Sequence, residues 1–223
     1  LTGMIREGRA GRPGKTTAGA YTGMLGNRGV MAASGLVLVL AMMSGGIYSF
    51  LPVLVTRHFS ADVGLVFMVI FISLIVFRFL TAQLSDRYGR GPCAFYSFII
   101  LCLSYYLIGR AQSTWQLVAA GVLNGVGTGG CLPALTAHVA DEAGARFRGI
   151  AFSIFYGAYD VGMLLGGAAL GLLADMAGLR GMYMLTALVG VFALGGFSVS
   201  IKPRPFDALK WTLVGPGRGG RPH

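Results

Sequence analysis

The run VGLVFMVIFISLIVFRFLTAQLSDRYGR, residues 63–90, joins a membrane-length apolar stretch to a short charged one. Its first part, Val63–Thr81, holds a single formal charge, Arg78. A helix needs about 20 mostly apolar residues to cross roughly 30 Å of hydrocarbon, so this part predicts a transmembrane helix. The charges that follow, Asp86, Arg87 and Arg90, predict where the chain leaves the membrane and turns back.

The whole chain has the composition of a membrane protein. Of its 223 residues, 55% are hydrophobic, 12% are charged and 36 are glycine, whereas soluble domains are about 25% charged. This composition rules out a disordered chain and argues against a soluble enzyme. The three cysteines lie in apolar stretches without a CxxC pair or a histidine at zinc-ligand spacing, so no metal or cofactor is expected.

Six apolar runs are long enough to span a bilayer. Connections of about 7 to 11 residues between them would make sequential helices antiparallel neighbours. The sequence therefore predicts an all-α membrane protein of six transmembrane helices. The predicted spans are Val30–Val55, Val63–Thr81, Pro92–Ile108, Trp115–Ala137, Gly149–Leu173 and Gly181–Ile201.

Basic residues are distributed unequally between the two sides of these spans. Fourteen lysines and arginines fall on the side of the two termini, and three, Arg57, Arg110 and Arg180, fall on the other. The positive-inside rule then predicts cytoplasmic termini. The net charge of +10 is explained by topology, and the basic residues do not form the aromatic-interleaved patch that nucleic-acid binding requires.

Two stretches 89 residues apart resemble each other. Residues 82–90 and 171–180 share a small residue, Leu, Asp and Gly in the same order. The first follows the second span and the second follows the fifth, on opposite sides of the membrane. Three-span units of opposite orientation are typical of secondary transporters, so the pair predicts a 3+3 inverted repeat.

The stretch Ala82-Gln-Leu-Ser-Asp86-Arg87-Tyr-Gly89-Arg90-Gly91 closely resembles the loop motif of the major facilitator superfamily, Gly-x-x-x-Asp-Arg-x-Gly-Arg-Arg. Ala82 and Gly91 depart from it. A second resemblance, from Arg146-Phe-Arg148-Gly to Asp160-Val-Gly, is to the loop and fifth helix of a carboxy-terminal half. In this family the motif is taken to latch two six-helix halves together. The resemblance therefore implies a gating role for Ala82, Asp86, Arg87, Gly89 and Arg90.

Two absences favour the carboxy-terminal half of that family's fold. Trp115–Ala137 has no Lys or Arg, whereas the fourth helix of amino-terminal halves of proton-driven antiporters commonly carries an Arg. The fifth helix lacks the proline of the Gly-Pro-x-x-Gly-Gly pattern often seen in drug exporters. The resemblance thus divides the chain into a basic linker-like arm, 1–29, a six-helix domain, 30–201, and a basic cytoplasmic tail, 202–223.

One carboxylate is expected deep in the membrane. Asp160 lies 11 residues into its span, about 16 Å deep, where a charge costs about 2.5–3.5 kcal/mol. It is a candidate for proton coupling or for binding a cationic substrate, and a hydrogen-bonded packing role is equally open. Arg78 lies about 5 Å from the end of its span, and we expect it to pair near the loop motif.

The cavity of a family half is lined by its first, second, fourth and fifth helices, which implies Tyr48, Phe50, Asn124, Tyr156 and Asp160 as cavity residues. The implied function is alternating access against a partner half, encoded upstream or on a second chain, in a bacterial-type inner membrane. Proton-coupled export of a small organic solute is the first expectation and metabolite uptake is the alternative. A truncated or half-size membrane subunit remains a third. No enzyme is expected, because polar residues do not cluster in the spans.

Overall fold

The computed structural model describes residues 17–200, with the backbone alone for residues 17–20, 86–88 and 200. Residues 1–16 of the expected arm and the expected tail lie outside the described residues. The described chain is all-helical, as predicted, and four of its helices, α2 to α5, are long and apolar enough to cross a membrane. The sequence did not predict α1. The helices are α1 (Thr17–Leu25), α2 (Arg28–His58), α3 (Val63–Tyr88), α4 (Arg90–Arg110) and α5 (Thr114–Ser200).

Side-chain caps fix where the first two long helices begin. The Asn27 side chain accepts hydrogen bonds from the N–H groups of Gly29 at 2.9 Å and Val30 at 3.2 Å. The Asp62 carboxylate accepts one from the N–H of Gly64 at 2.6 Å. These oxygens replace the partners that first-turn N–H groups lack. As a result α2 begins two residues before the apolar run that predicted it.

The motif between the second and third spans is mostly helix. α3 continues through residues 82–88, and Gly89 alone separates it from α4. The φ angle of Gly89 is +94°, a conformation that side chains disfavour and glycine accepts. The ten residues between the two predicted apolar spans are therefore mostly helical, and one positive-φ glycine separates α3 from α4.

α5 is 87 residues long and would extend about 130 Å if straight. Its backbone leaves the helical conformation at Gly144 (φ +64°) and Gly178 (φ +71°). The rings of His138 and Phe197 lie 6.4 Å apart, although a straight helix would separate them by about 90 Å. α5 is therefore folded back on itself, and we refer to its first segment (114–143), second segment (145–177) and third segment (179–200).

Glycines of α5 lie where its segments approach other helices most closely. A Cβ atom added to Gly125 of the first segment would lie 2.8 Å from the backbone nitrogen of Leu74 in α3. One added to Gly166 of the second segment would lie 3.1 Å from the Cα of Gly45 in α2. Small residues at such positions let backbones pack closely in lipid. The first segment thus packs on α3, and the second packs on α2.

The third segment packs on α4 in the opposite direction. A Cβ at Gly109 would lie 2.8 Å from the carbonyl oxygen of Arg180, and one at Gly190 would lie 2.7 Å from the Cys102 sulfur. As residue numbers rise along α4 they fall along the third segment, so this pair is antiparallel. The first and second segments run parallel to their partners, because residue numbers rise together along both helices of each pair. Glycines 121, 125 and 129 approach residues 70–74, and glycines 162, 166 and 171 approach residues 38–50.

A Gly166→Ala substitution should destabilise the protein, because the new methyl group meets backbone atoms of Met42 and Gly45 that cannot move independently. We expect a loss of about 1–3 kcal/mol, seen as a lower midpoint of thermal unfolding in detergent. Gly157→Ala in the same segment is the matched control, since nothing lies within 4 Å of a Cβ there. Equal midpoints for the two variants would contradict this packing.

Candidate functional site

The second segment carries an exposed row of side chains that includes a carboxylate. Tyr156, Asp160 and Leu164 are all exposed and follow one another at helical spacing; we call them the open face. Asp160 lies 16 residues after the break at Gly144 and 18 before the break at Gly178, so it is close to the middle of the segment. The structure also shows that Asp160 is not covered by the described helices.

Aromatic rings join α2 to α3 beside this face. Tyr48 is 44% exposed, and its ring stacks on those of Phe67 at 6.4 Å and Phe71 at 6.3 Å. Tyr159 lies within electrostatic range of both Tyr48 and Asp160. Tyr159 is therefore near both the exposed tyrosine of α2 and the exposed acid of the second segment.

Tyr156 of the open face and the remaining expected cavity residues, Phe50 and Asn124, differ in their surroundings. Tyr156 packs edge-on against Phe155, with ring centroids 5.3 Å apart. Phe50 is half-buried, and its ring tip would lie 3.4 Å from a Cβ at Gly171. Asn124 is only 4% exposed and belongs to the interior of the bundle. The open face and Asn124 are thus separate places in the fold.

The surroundings of Asn124 include two tyrosines that the sequence analysis did not single out. The Asn124 amide lies beside the Tyr105 hydroxyl, and its Nδ2 has no hydrogen-bond partner within the described part of the chain. Tyr105 donates its hydroxyl proton to the carbonyl of Met43. Tyr183 donates to the carbonyl of Gly46 at 3.4 Å. Each buried hydroxyl ties a lipid-spanning helix to α2.

These contacts could have been anticipated from the presence of a tyrosine inside an apolar span. A hydroxyl in hydrocarbon costs free energy unless it finds an acceptor, so Tyr105 in α4 implied a partner on another helix. Adjacent Tyr106 is 47% exposed, whereas Tyr105 is 1% exposed. Sequence alone does not distinguish the two, because the distinction depends on which side of α4 faces its neighbours.

Arg90, at the end of the charged motif, makes contacts across the bundle. Arg90 Nη1 donates to the carbonyl of Ala137 at 2.8 Å and lies 2.6 Å from a carboxylate oxygen of Asp141. These contacts tie the start of α4 to the end of the first segment. An exposed ion pair of this kind contributes about 0–1 kcal/mol, so its main effect is to fix the position of the helix end.

The remaining charged candidates are exposed or undescribed. Arg78 and Arg148 are exposed, and neither forms a salt bridge with a described carboxylate. Ala82 is exposed on the last turns of α3. The side chains of Asp86 and Arg87 lie outside the described residues. Within residues 17–200, no three His, Cys, Asp or Glu side chains are grouped to hold a metal ion.

The chain matches the family model described as "Major Facilitator Superfamily" over residues 33–210. It is also similar to bacterial proteins named multidrug resistance protein MdtG. The Salmonella paratyphi A (strain ATCC 9150 / SARB42) protein is 34% identical over 137 residues, which are 60% of this chain and 34% of that protein. The Proteus mirabilis (strain HI4320) protein is 32% identical over 126 residues, 56% and 31% of the two chains. The matched region spans about a third of the length of these curated relatives.

Replacing Tyr105 with Phe should lower stability by roughly 0.5–1.5 kcal/mol, because the hydrogen bond to Met43 is lost inside the bundle. Tyr106→Phe is the matched control, because Tyr106 is exposed and its hydroxyl forms no hydrogen bond with a described residue. The unfolding midpoint of each variant is measured in detergent by heating samples and monitoring the remaining folded protein by size-exclusion chromatography. A Tyr106 variant as unstable as the Tyr105 variant would contradict the assignment.

Proposed function

The chain belongs to the major facilitator superfamily, and we propose that its described helices make six membrane crossings as a 3+3 inverted repeat, the carboxy-terminal half of a secondary transporter. The crossings are α2, α3, α4 and the three segments of α5. The family consists of membrane transport proteins rather than enzymes, and the apolar helices place the chain in the membrane as an integral protein.

The helix contacts support the inverted repeat. α2 pairs with the second segment, α3 with the first segment and α4 with the third. In chain order these are pairs of crossings 1 and 5, 2 and 4, and 3 and 6. If crossing 1 is exchanged with 4, 2 with 5 and 3 with 6, the same three pairs result. Gly89 and Gly178, the equivalent glycines of the two similar stretches, both have positive φ. A repeat of structure therefore accompanies the repeat of sequence.

The six-crossing topology predicts which connections share a side of the membrane. We expect cysteines introduced at Ser60 and Gln112 to be labelled from outside intact cells by a membrane-impermeant maleimide. A cysteine at Ala145 should be labelled in inverted vesicles only. All three positions are exposed, and the buried native cysteines Cys93, Cys102 and Cys131 serve as the unlabelled background.

Labelling of positions 60 and 145 from the same side would contradict the six crossings. Labelling of all three positions from the side opposite to that expected would keep the crossings and reverse the orientation, against the proposal of cytoplasmic termini. The distribution of basic residues supports the orientation proposed.

Asp160 is the observation that carries the transport proposal. A carboxylate at mid-span costs free energy against lipid, so an exposed Asp160 needs water or another protein surface next to it. A partner half facing the open face would supply both, by enclosing an aqueous pathway. In this proposal the two halves rock around a solute site at that depth, and Asp160 carries the coupling proton.

Small organic solutes are the proposed substrates, and export is the proposed direction. Similarity to proteins named for multidrug resistance supports both. Tyr48, Tyr156 and the adjacent phenylalanines offer aromatic surface to an apolar or cationic molecule. Asp86 and Arg87 are proposed to gate the pathway together with Gly89 and Arg90, since the motif lies at the end of α3 where the halves would meet.

Asp160→Asn should abolish proton-driven transport, because the amide cannot release a proton. The assay is uptake of fluorescent lipophilic cations into inverted vesicles under an imposed pH gradient, with the protein produced together with any contiguous upstream reading frame. We expect at least about a tenfold loss of gradient-dependent uptake, since one general acid or base group typically contributes two orders of magnitude or more. Asp160→Glu should retain part of the activity.

Asp175→Asn is the matched control, because Asp175 is an exposed acid near the end of the same segment. Unchanged uptake and pH dependence in Asp160→Asn would show that the residue has a packing role. Absence of uptake by the unaltered protein across the dye panel would favour the non-transporting membrane subunit instead. Accumulation in right-side-out vesicles would favour an uptake carrier.

A further inference from the structure

A groove runs along the surface of the α4–third-segment pair, and no residue of the open face lines it. Its volume is about 620 Å³ and its lining is almost wholly apolar. Most of the lining side chains are strongly exposed; Leu188 and Val191, for example, are both 55% exposed. The residues that shape it are Ile99, Leu103, Tyr106, Met184, Leu188 and Val191.

One end of this groove is marked by two arginines. Arg110 continues the row of Leu103 and Tyr106 by one turn of α4, and Arg180 lies one turn before Met184 on the third segment. The backbones of the two helices touch there, since a Cβ at Gly109 would lie 2.8 Å from the Arg180 carbonyl oxygen. Both arginine side chains are exposed. The two positive charges therefore belong to the same mouth of the groove.

Neither arginine is neutralised by a described carboxylate. The single salt bridge among the described side chains joins Arg90 to Asp141 at the far end of α4. Asp175 is the acid nearest to Arg180 in sequence; it is exposed, lies beyond the break at Gly178, and forms no salt bridge with Arg180. The groove mouth thus presents two unpaired cations beside an apolar channel.

The dimensions match one leaflet of a bilayer. From Arg110 to Ile99, and from Arg180 to Val191, the row covers about 16 Å along the helix axis, close to half of the ~30 Å hydrocarbon thickness. Trp115, at the start of α5 and just after Arg110, is 71% exposed, and exposed tryptophans concentrate at the membrane–water interface. The arginines therefore lie at headgroup depth and the groove at acyl-chain depth.

We propose that this groove binds an anionic phospholipid, with its phosphate between Arg110 and Arg180 and an acyl chain along Leu103, Tyr106 and Leu188. Guanidinium groups bind phosphate through charge-assisted hydrogen bonds. The apolar lining offers nothing to a polar ligand, and a zwitterionic headgroup lacks the net charge that two arginines select. The site requires only that the chain be embedded in a membrane, and it is independent of the transport proposal.

Binding is tested on the intact protein in a neutral detergent, by native mass spectrometry during titration with dioleoyl phosphatidylglycerol or dioleoyl phosphatidylcholine. We expect retention of the anionic lipid at concentrations at least about tenfold lower than the zwitterionic one. Each arginine should contribute about fivefold, so Arg110→Gln with Arg180→Gln should weaken phosphatidylglycerol binding roughly 25-fold. Half-molar salt should weaken it in the unaltered protein as well.

Two controls separate this site from general lipid adhesion. Arg57→Gln removes an exposed arginine at the end of α2 that does not line the groove, and should change affinity less than twofold. Leu103→Trp fills the groove and should reduce retention of both lipids, whereas Leu172→Trp, at an exposed position of the second segment outside the groove, should not. These exposed substitutions should leave unfolding midpoints unchanged, and the salt titration tests the claim without any substitution.

Three results would overturn the proposal. Equal affinity for the two lipids would remove the role of the arginines. An Arg57 variant as impaired as the double variant would indicate nonspecific charge attraction. Loss of a dimer in Leu103→Trp, with lipid retention unchanged, would show that a second copy of the chain occupies the groove.

Discussion

Helices in hydrocarbon associate by close contact of their backbones, because lipid tails are as apolar as leucine and no hydrophobic force drives the helices together. The glycines of α5 supply that contact. Gly125 lies against the backbone of α3, and Gly166 lies against Gly45 of α2. With side chains at these two positions, the first and second segments would stand farther from their partners.

Hydrogen bonds and close glycine contacts also determine which helices are neighbours in the bundle. Tyr183 and Gly190 join the third segment to α2, through Gly46 and Met43. Tyr105 and Ser104 of α4 join it to α2 and to the first segment. These contacts make α2 a neighbour of the second segment, the third segment and α4, and the stacking of Tyr48 on Phe67 and Phe71 makes it a neighbour of α3 as well. The groove lies on the α4–third-segment pair, whereas the open face lies on the second segment.

Sequence reasoning predicted what depends on composition along the chain. The all-helical fold and the presence of membrane-length apolar helices follow from counts of apolar residues and from a rise per residue. Family membership was likewise predicted from the motif at residues 82–91, and the match over residues 33–210 confirms it. That the connections are largely helical was not predicted, because the helix ends depend on single backbone angles at Gly89, Gly144 and Gly178 that composition does not determine.

Sequence reasoning did not predict the direction in which each side chain points. Arg90 reaches Ala137 and Asp141, 47 and 51 positions away in the chain, and Tyr105 is buried while Tyr106 is exposed. The α3 span shows the same limit: it is the most apolar of the four candidate spans and the least buried. Apolarity therefore identifies a helix as membrane-embedded, whereas its contacts decide which side faces lipid and which faces protein.

That distinction gives the two exposed surfaces different roles. Beside Asp160, exposure is costly in lipid because a carboxylate has no partner there, so this surface requires water or protein. Along Leu103 and Leu188, exposure costs nothing in lipid, and the arginines at the end of the groove lie where headgroups are. The α4–third-segment pair thus offers an apolar surface suited to the bilayer, and the open face offers a surface suited to contact with water or a second bundle.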